Sequence, residues 1–131
     1  MIGIVLVSHS HLQARGLQEM AEQLAYDQVK IVSAGGIDEN TIGTNAERIF
    51  EAIQEVYSPD GVLVFFDLGS ALLSTQMAIE MLPPDRRRRV QICDAPMVEG
   101  VLAAVVEASL GHPLEKVCQA AQATRESKKI P

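Results

Sequence analysis

Four short runs of continuous, mostly β-branched apolar residues, at positions 2–7, 29–32, 61–66 and 90–93, constrain the fold of this chain more than any other feature. A strand without polar alternation must be buried on both faces, which is the situation of a parallel sheet covered by helices. Each run leads into a polar or glycine-containing stretch and then into a segment of helical period. Parallel neighbours joined through single helices need right-handed crossovers, so the expected architecture is α/β. It is an open, doubly wound, mainly parallel sheet of strand order 2-1-3-4 with helices on both faces.

The helical segments follow from their spacing. Leu17, Met20, Ala21 and Leu24 recur at i, i+3, i+4 and i+7, and Ala46, Ile49, Phe50, Ile53 and Val56 make a second such stripe. Thr44 and Glu47 read as a capping box, with Thr44 as N-cap. Ser70 is expected to cap a third helix that runs to about residue 82, where Pro83-Pro84 stops it. A fourth helix is expected over 98–109, and Pro113 suits the first position of a last one that buries Leu114, Val117, Cys118 and Ala121. Residues 127–131 are expected to fray. The helically spaced Met20, Met77 and Met81 read as core. With 131 residues, 47% of them apolar, the whole chain 1–131 reads as one domain with no linker, repeat or low-complexity segment.

Composition excludes several function classes. Lys and Arg total 11 against 17 Asp and Glu, and a net charge of −6 is the wrong sign for a general nucleic-acid binder. The first apolar run lacks a basic flank and passes directly into Ser8-His9-Ser10, so it is neither signal peptide nor membrane span, and a cytoplasmic chain is expected. Cys93 and Cys118 are too few for a disulfide framework and read as buried thiols. Three histidines without ligand spacing give no metal site, and no Walker loop is present, so no cofactor is expected.

In a sheet of this kind the loops after the strands share one edge, and ligands bind where the strand order reverses. Order 2-1-3-4 makes the loops after the first and third strands neighbours, which puts His9 beside Asp67. A carboxylate next to an imidazole keeps one ring nitrogen protonated and leaves the lone pair of the other facing outward as a nucleophile. Gly69-Ser70 opens a helix whose free N–H groups suit an anion. Ser8, Ser10 and Thr44 add hydroxyls, and Gly36 belongs to a glycine-containing wall that ends at Thr44. Nucleophilic imidazole and phosphate-binding helix start together point to phosphoryl transfer through a phosphohistidine. The residues expected to do this are His9 and Asp67 as catalytic groups, with Ser10, Gly36, Thr44, Gly69 and Ser70 around the phosphate.

Other polar residues have plainer readings. His11 reads as a surface side chain, His112 as a turn residue between Gly111 and Pro113, and Arg86 to Arg89 as a solvated turn at the opposite sheet edge. Asp94 and Glu99 are left without a role, Asp94 being equally suited to capping the turn before Pro96. Leu12 and Met97 suit either the core or a partner contact.

Val7-Ser8-His9-Ser10, Ala34-Gly35-Gly36, Ile42-Gly43-Thr44, Asp67-Leu68-Gly69-Ser70-Ala71 and Asp94-Ala95-Pro96 with Val98-Glu99-Gly100 occur in order along nearly the whole chain. Together they resemble the phosphoryl-carrier subunit of dihydroxyacetone kinases that draw phosphate from the bacterial phosphotransferase system, a mannose-type enzyme IIA-like domain. The resemblance implies that His9 is the phosphorylated residue and Asp67 its orienting carboxylate. It implies that HPr, charged from phosphoenolpyruvate by enzyme I, is the donor, and that ADP on the nucleotide-binding kinase subunit is the acceptor. It also implies a homodimer. Mannose-type sugar-transport domains usually carry Gly-Gly-Ser/Thr-Pro after the third-strand aspartate, whereas Leu68-Gly69-Ser70-Ala71 stands here, which favours the kinase branch. Some kinase-branch members continue into HPr-like and enzyme I-like domains, so this chain is expected to use separate donors.

Four other readings compete, one of them a histidine phosphatase or mutase, which surrounds its histidine with arginine where serines flank His9 here. A mannose-type enzyme IIA of sugar transport shares the chemistry and differs in its acceptor. A receiver-type domain phosphorylated on Asp67 needs an acidic pair after the first strand, where Ser8-His9-Ser10 stands. A non-catalytic binding module forms no covalent phosphate.

Overall fold

The computed structural model describes residues 1–131. Its elements are β1 (Gly3–Ser8), α1 (His11–Ala25), β2 (Lys30–Gly35), α2 (Ala46–Val56), β3 (Val62–Phe66), α3 (Gly69–Glu80), α4 (Pro84–Arg87), β4 (Val90–Ile92), α5 (Met97–Ser109) and α6 (Leu114–Ala123), followed by a 3₁₀ turn, Thr124–Glu126. The four strands are all parallel, in the order β2-β1-β3-β4. No helix is long and apolar enough to cross a membrane.

The runs of the two central strands have the cause inferred for them, whereas the edge strands are less buried, β2 with Lys30 exposed and β4 half-buried throughout. All six residues of β1 are buried, and alternate side chains enter opposite cores because successive Cβ atoms point to opposite faces. Ile4, Leu6, Leu63 and Phe65 pack with Leu17, Ala21, Val101, Ala104, Val105, Val117 and Ala121 of α1, α5 and α6. Val5, Val7, Val62 and Val64 pack on the other face with Ile49, Ile53, Ala71 and Ala78 of α2 and α3. Cys93 and Cys118 are buried free thiols with their sulfurs 3.4 Å apart, and burial followed by the Cys118 hydrogen bond pushes the Cys93 thiol up in pKa, keeping it protonated.

Several local expectations need correction. Asn45, not Thr44, is the N-cap of α2: its side chain accepts from the N–H groups of Glu47 and Arg48 at 3.0 and 3.4 Å. Asparagine caps at least as well as threonine, and the Thr44 hydroxyl instead lies 2.6 Å from that of Ser74 on α3. Ser70 does not cap α3. The N-cap is Leu68, without a side-chain bond, and Ser70 is the second helical residue. Met20, Met77 and Met81 are 50%, 51% and 46% exposed rather than core. Small residues, Ala71, Thr75 and Ala78, form the buried stripe of α3, which leaves Leu73 and Met77 on its outer side while Ile79 packs at the edge of the core. In α1 the stripe is Ala14, Leu17, Ala21 and Ala25, which leaves Met20 on the outer side.

The arginine run is more than a solvated turn. Arg86 lies over the Tyr57 ring, 4.4 Å from its centroid, and donates to Gln54 Oε1; Arg87 donates to the carbonyls of Glu80 and Leu82. Arg89 donates to the carbonyl of Pro59. These forks tie α4 to α2, to the end of α3 and to the turn before β3.

Candidate active site

The pairing of β1 with β3 sets Val7 opposite Phe66, so the residues that follow each strand emerge side by side. His9 Nδ1 lies 2.9 Å from Asp67 Oδ1, and the His9 backbone N–H donates to Oδ2 at 2.9 Å. The Ser8 hydroxyl also donates to Oδ2, at 3.0 Å, and the Leu68 N–H to Oδ1, at 2.7 Å. Asp67 is thus held by four hydrogen bonds with only 9% of its side chain exposed, while His9 keeps 23%. Burial pushes the Asp67 carboxyl up, but the bonds from the His9 backbone, the His9 ring, Ser8 and Leu68 together outweigh it and hold the pKa below its ordinary value.

An ionised carboxylate only accepts, so Nδ1 carries a proton, and in the neutral ring Nε2 holds the lone pair. Ser70 Oγ stands 2.7 Å from Nε2, which in the neutral ring accepts its proton. Because no side chain caps α3 at Leu68, the N–H groups at its start remain open to an anion beside Nε2. A Cβ added at Gly69 would meet nothing within 4 Å, so the space at this helix start is free.

The other expected residues build the surroundings. Ser10 is the N-cap of α1, its oxygen accepting from the Gln13 N–H. Gly36 has φ +75° and a Cβ there would stand 2.3 Å from the Asp38 carbonyl, so this turn requires glycine; its N–H donates to the Ser8 carbonyl. Gly43 donates to the His9 carbonyl at 2.8 Å, and the Thr44–Ser74 contact joins the same loop to α3. The structure therefore brings His9, Asp67, Gly69 and Ser70 together, with Ser10, Gly36 and Thr44 in the supporting wall.

Elsewhere, His11 is half-buried at the start of α1 with its Nδ1 shielded and without a partner, rather than fully at the surface. His112 is bonded to Glu107. Asp94 and Glu99 pair with Arg125 and Lys129 at 3.7 and 3.5 Å. Leu12 is exposed, whereas Met97 packs against the core. A cleft of about 750 Å³ is lined by Arg88, Arg89, His112 and Leu114 among others and contains no residue of the His9 site. In the sequence Ser8 stands only as one more hydroxyl beside His9, whereas in the structure it bonds the Asp67 carboxylate. The signal for its role is a polar residue closing a strand that is buried on both faces.

Known proteins can be set beside this geometry. Residues 3–118 match the model of the EIIA-man family, described as the phosphotransferase-system fructose IIA component. The chain belongs to the EIIA-man family. Within it, the chain is similar to the phosphoryl donor subunit DhaM of the PEP-dependent dihydroxyacetone kinase of Escherichia coli K12, 46% identical over 98% of this chain and 28% of that protein. The chain therefore spans little more than a quarter of that relative's length. The DhaM of PEP-dependent dihydroxyacetone kinase 2 of Listeria innocua is 40% identical, with 91% of this chain and 95% of that protein covered. Among solved structures, the protein of unknown function EF1359 superimposes with a TM-score of 0.81 at 36% identity, over 93% of this chain and 94% of that one.

Proposed function

We propose that this EIIA-man chain is a phosphoryl carrier in which His9 Nε2 takes a phosphoryl group from HPr and passes it to ADP held on the nucleotide-binding subunit of a dihydroxyacetone kinase. The observation that carries the reading is the position of His9: its Nδ1 faces an ionised Asp67, and its Nε2 faces the hydroxyl of Ser70 at an uncapped helix start.

In the first step the Nε2 lone pair attacks phosphorus while the bond from phosphorus to the donor breaks. Nδ1 keeps its proton, the ring gains positive charge, and Asp67 neutralises it across 2.9 Å. The Ser70 hydroxyl turns from Nε2 to a phosphoryl oxygen, and the N–H groups at Gly69 and Ser70 stabilise the anion. Ser10, Gly36 and Thr44 shape the wall around it. Transfer onward reverses these steps: ADP oxygen attacks, the N–P bond breaks, and a neutral imidazole leaves. The chain itself supplies no nucleotide or sugar chemistry, which belongs to the partner subunits.

A protein donor and acceptor fit the surface, since Leu12, Ile42 and Leu68, in segments that adjoin His9, are 79%, 72% and 60% exposed. A shallow site suffices because the transferred group is small and arrives on a macromolecule. The reading places the chain in the cytoplasm, where phosphoenolpyruvate-charged carriers are found, and as a homodimer, for which the exposed Leu73, Met77 and Met81 of α3 offer apolar surface. The DhaM names of the relatives favour the kinase acceptor over a sugar transporter. The test is to charge the chain with phosphoenolpyruvate, enzyme I and HPr, then add the ADP-loaded kinase subunit. ATP formation on that subunit supports the assignment, and transfer only to a sugar-transport component overturns it.

A further inference from the structure

Ser8 is fully buried, closes β1, and takes no part in either core. Its oxygen accepts the Ser10 N–H at 3.0 Å, and its own proton goes to Asp67 Oδ2 at 3.0 Å. We propose that Ser8 is a positioning residue for His9, acting through Asp67: its hydroxyl occupies Oδ2 and so presents Oδ1 to the imidazole Nδ1–H. The proposal rests on the phosphoryl-carrier reading for its rate consequences, but its structural half stands apart from it.

The argument is one of allocation. Oδ1 receives the His9 ring and the Leu68 N–H, while Oδ2 receives the His9 N–H and Ser8. Three of the four donors are fixed by backbone or by the ring that must be oriented. Ser8 is the remaining side chain that holds the carboxylate plane from the opposite side. Hydrogen bonds to the charged form of a buried carboxylate are worth more than neutral ones, so losing this one both loosens the plane and favours protonation. His9 is the titratable group bonded to Asp67. Of the other charged groups in the surrounding loops, Asp38 accepts the Asn40 N–H, Arg48 donates to the Gly35 carbonyl, Asp94 and Glu99 pair with Arg125 and Lys129, and Glu39 is exposed to solvent.

Two measurements on the full chain test this. First, Ser8→Ala is expected to lower kcat for phosphoryl acceptance from phosphorylated HPr about tenfold, with KM unchanged and the acid limb of the pH–rate profile moved to higher pH. Ser8→Thr, which keeps the hydroxyl, is expected to restore both. Second, the Asp67 side-chain carboxyl, followed by carbon-13 NMR, is expected to titrate at higher pH in Ser8→Ala than in the parent. If Ser8→Ala loses the fold, Ser8→Cys keeps the volume with a weaker donor and is expected to shift the same titration. An unmoved Asp67 titration in the folded variant overturns the proposal, as does a raised KM with an unmoved acid limb. A parent protein that takes no phosphoryl group defeats the carrier reading alone, since the titration still reports on Ser8.

Discussion

At His9 the proposed chemistry is divided between two hydrogen bonds: Nδ1 to Asp67 fixes the tautomer, and Nε2 to Ser70 marks the atom proposed to react. Asp67→Asn keeps the shape but removes the charge that balances a phosphorylated ring, so transfer is expected to slow by about 10²-fold or more in stopped-time phosphorylation assays, with an unchanged circular dichroism spectrum. The same carboxylate links stability to pH. Its pKa in the fold lies below the unfolded value, so the folded state binds fewer protons there than the unfolded chain. The resulting stabilisation is present above about pH 4, the ordinary carboxylate range, and is lost as pH falls through the lower folded value. Urea midpoints measured between pH 7 and pH 3 are expected to fall less steeply for Asp67→Asn than for the parent.

Among the elements, the central strands β1 and β3 were legible because burial on both faces leaves an apolar run, the half-buried edge strands from shorter runs between helical periods, and the position of His9 beside Asp67 followed from the strand order. The finer choices were not. Thr44 and Asn45 are both capping types one residue apart, and only the Ser74 hydroxyl across the loop draws Thr44 away. Ser70 had two suitable partners, the start of its own helix and an imidazole from another strand, and sequence does not rank them. A four-residue helix such as α4 is too short to show a period, and α3 is apolar around its circumference, so its inward face was not visible. Helix α1 carries an avoidable cost: Gly16 is exposed in its interior, and a Cβ there would meet nothing within 4 Å. Gly16→Ala is expected to stabilise the fold by up to about 1 kcal/mol, seen as a raised Tm. A lowered Tm would show that the helix interior there is not what the backbone indicates.

Across the whole molecule the charge of −6 says little about the proposed phosphoryl group, which helix N–H groups and hydroxyls at one sheet edge would handle. Its influence falls on solubility and on steering toward partners. The four consecutive arginines, Arg86 to Arg89, are spent at the other edge, where three hold backbone or side-chain acceptors. The outer side of α3, with Leu73, Met77 and Met81, is the apolar surface proposed for a second copy, and light scattering of Met77→Glu is expected to show a shift from dimer toward monomer. The most direct test of the account is the intact mass of the chain after incubation with phosphoenolpyruvate, enzyme I and HPr. It predicts the gain of a single acid-labile phosphoryl group that is absent in His9→Ala and retained in His11→Ala; retention of the group in His9→Ala, or its loss in His11→Ala, would contradict it.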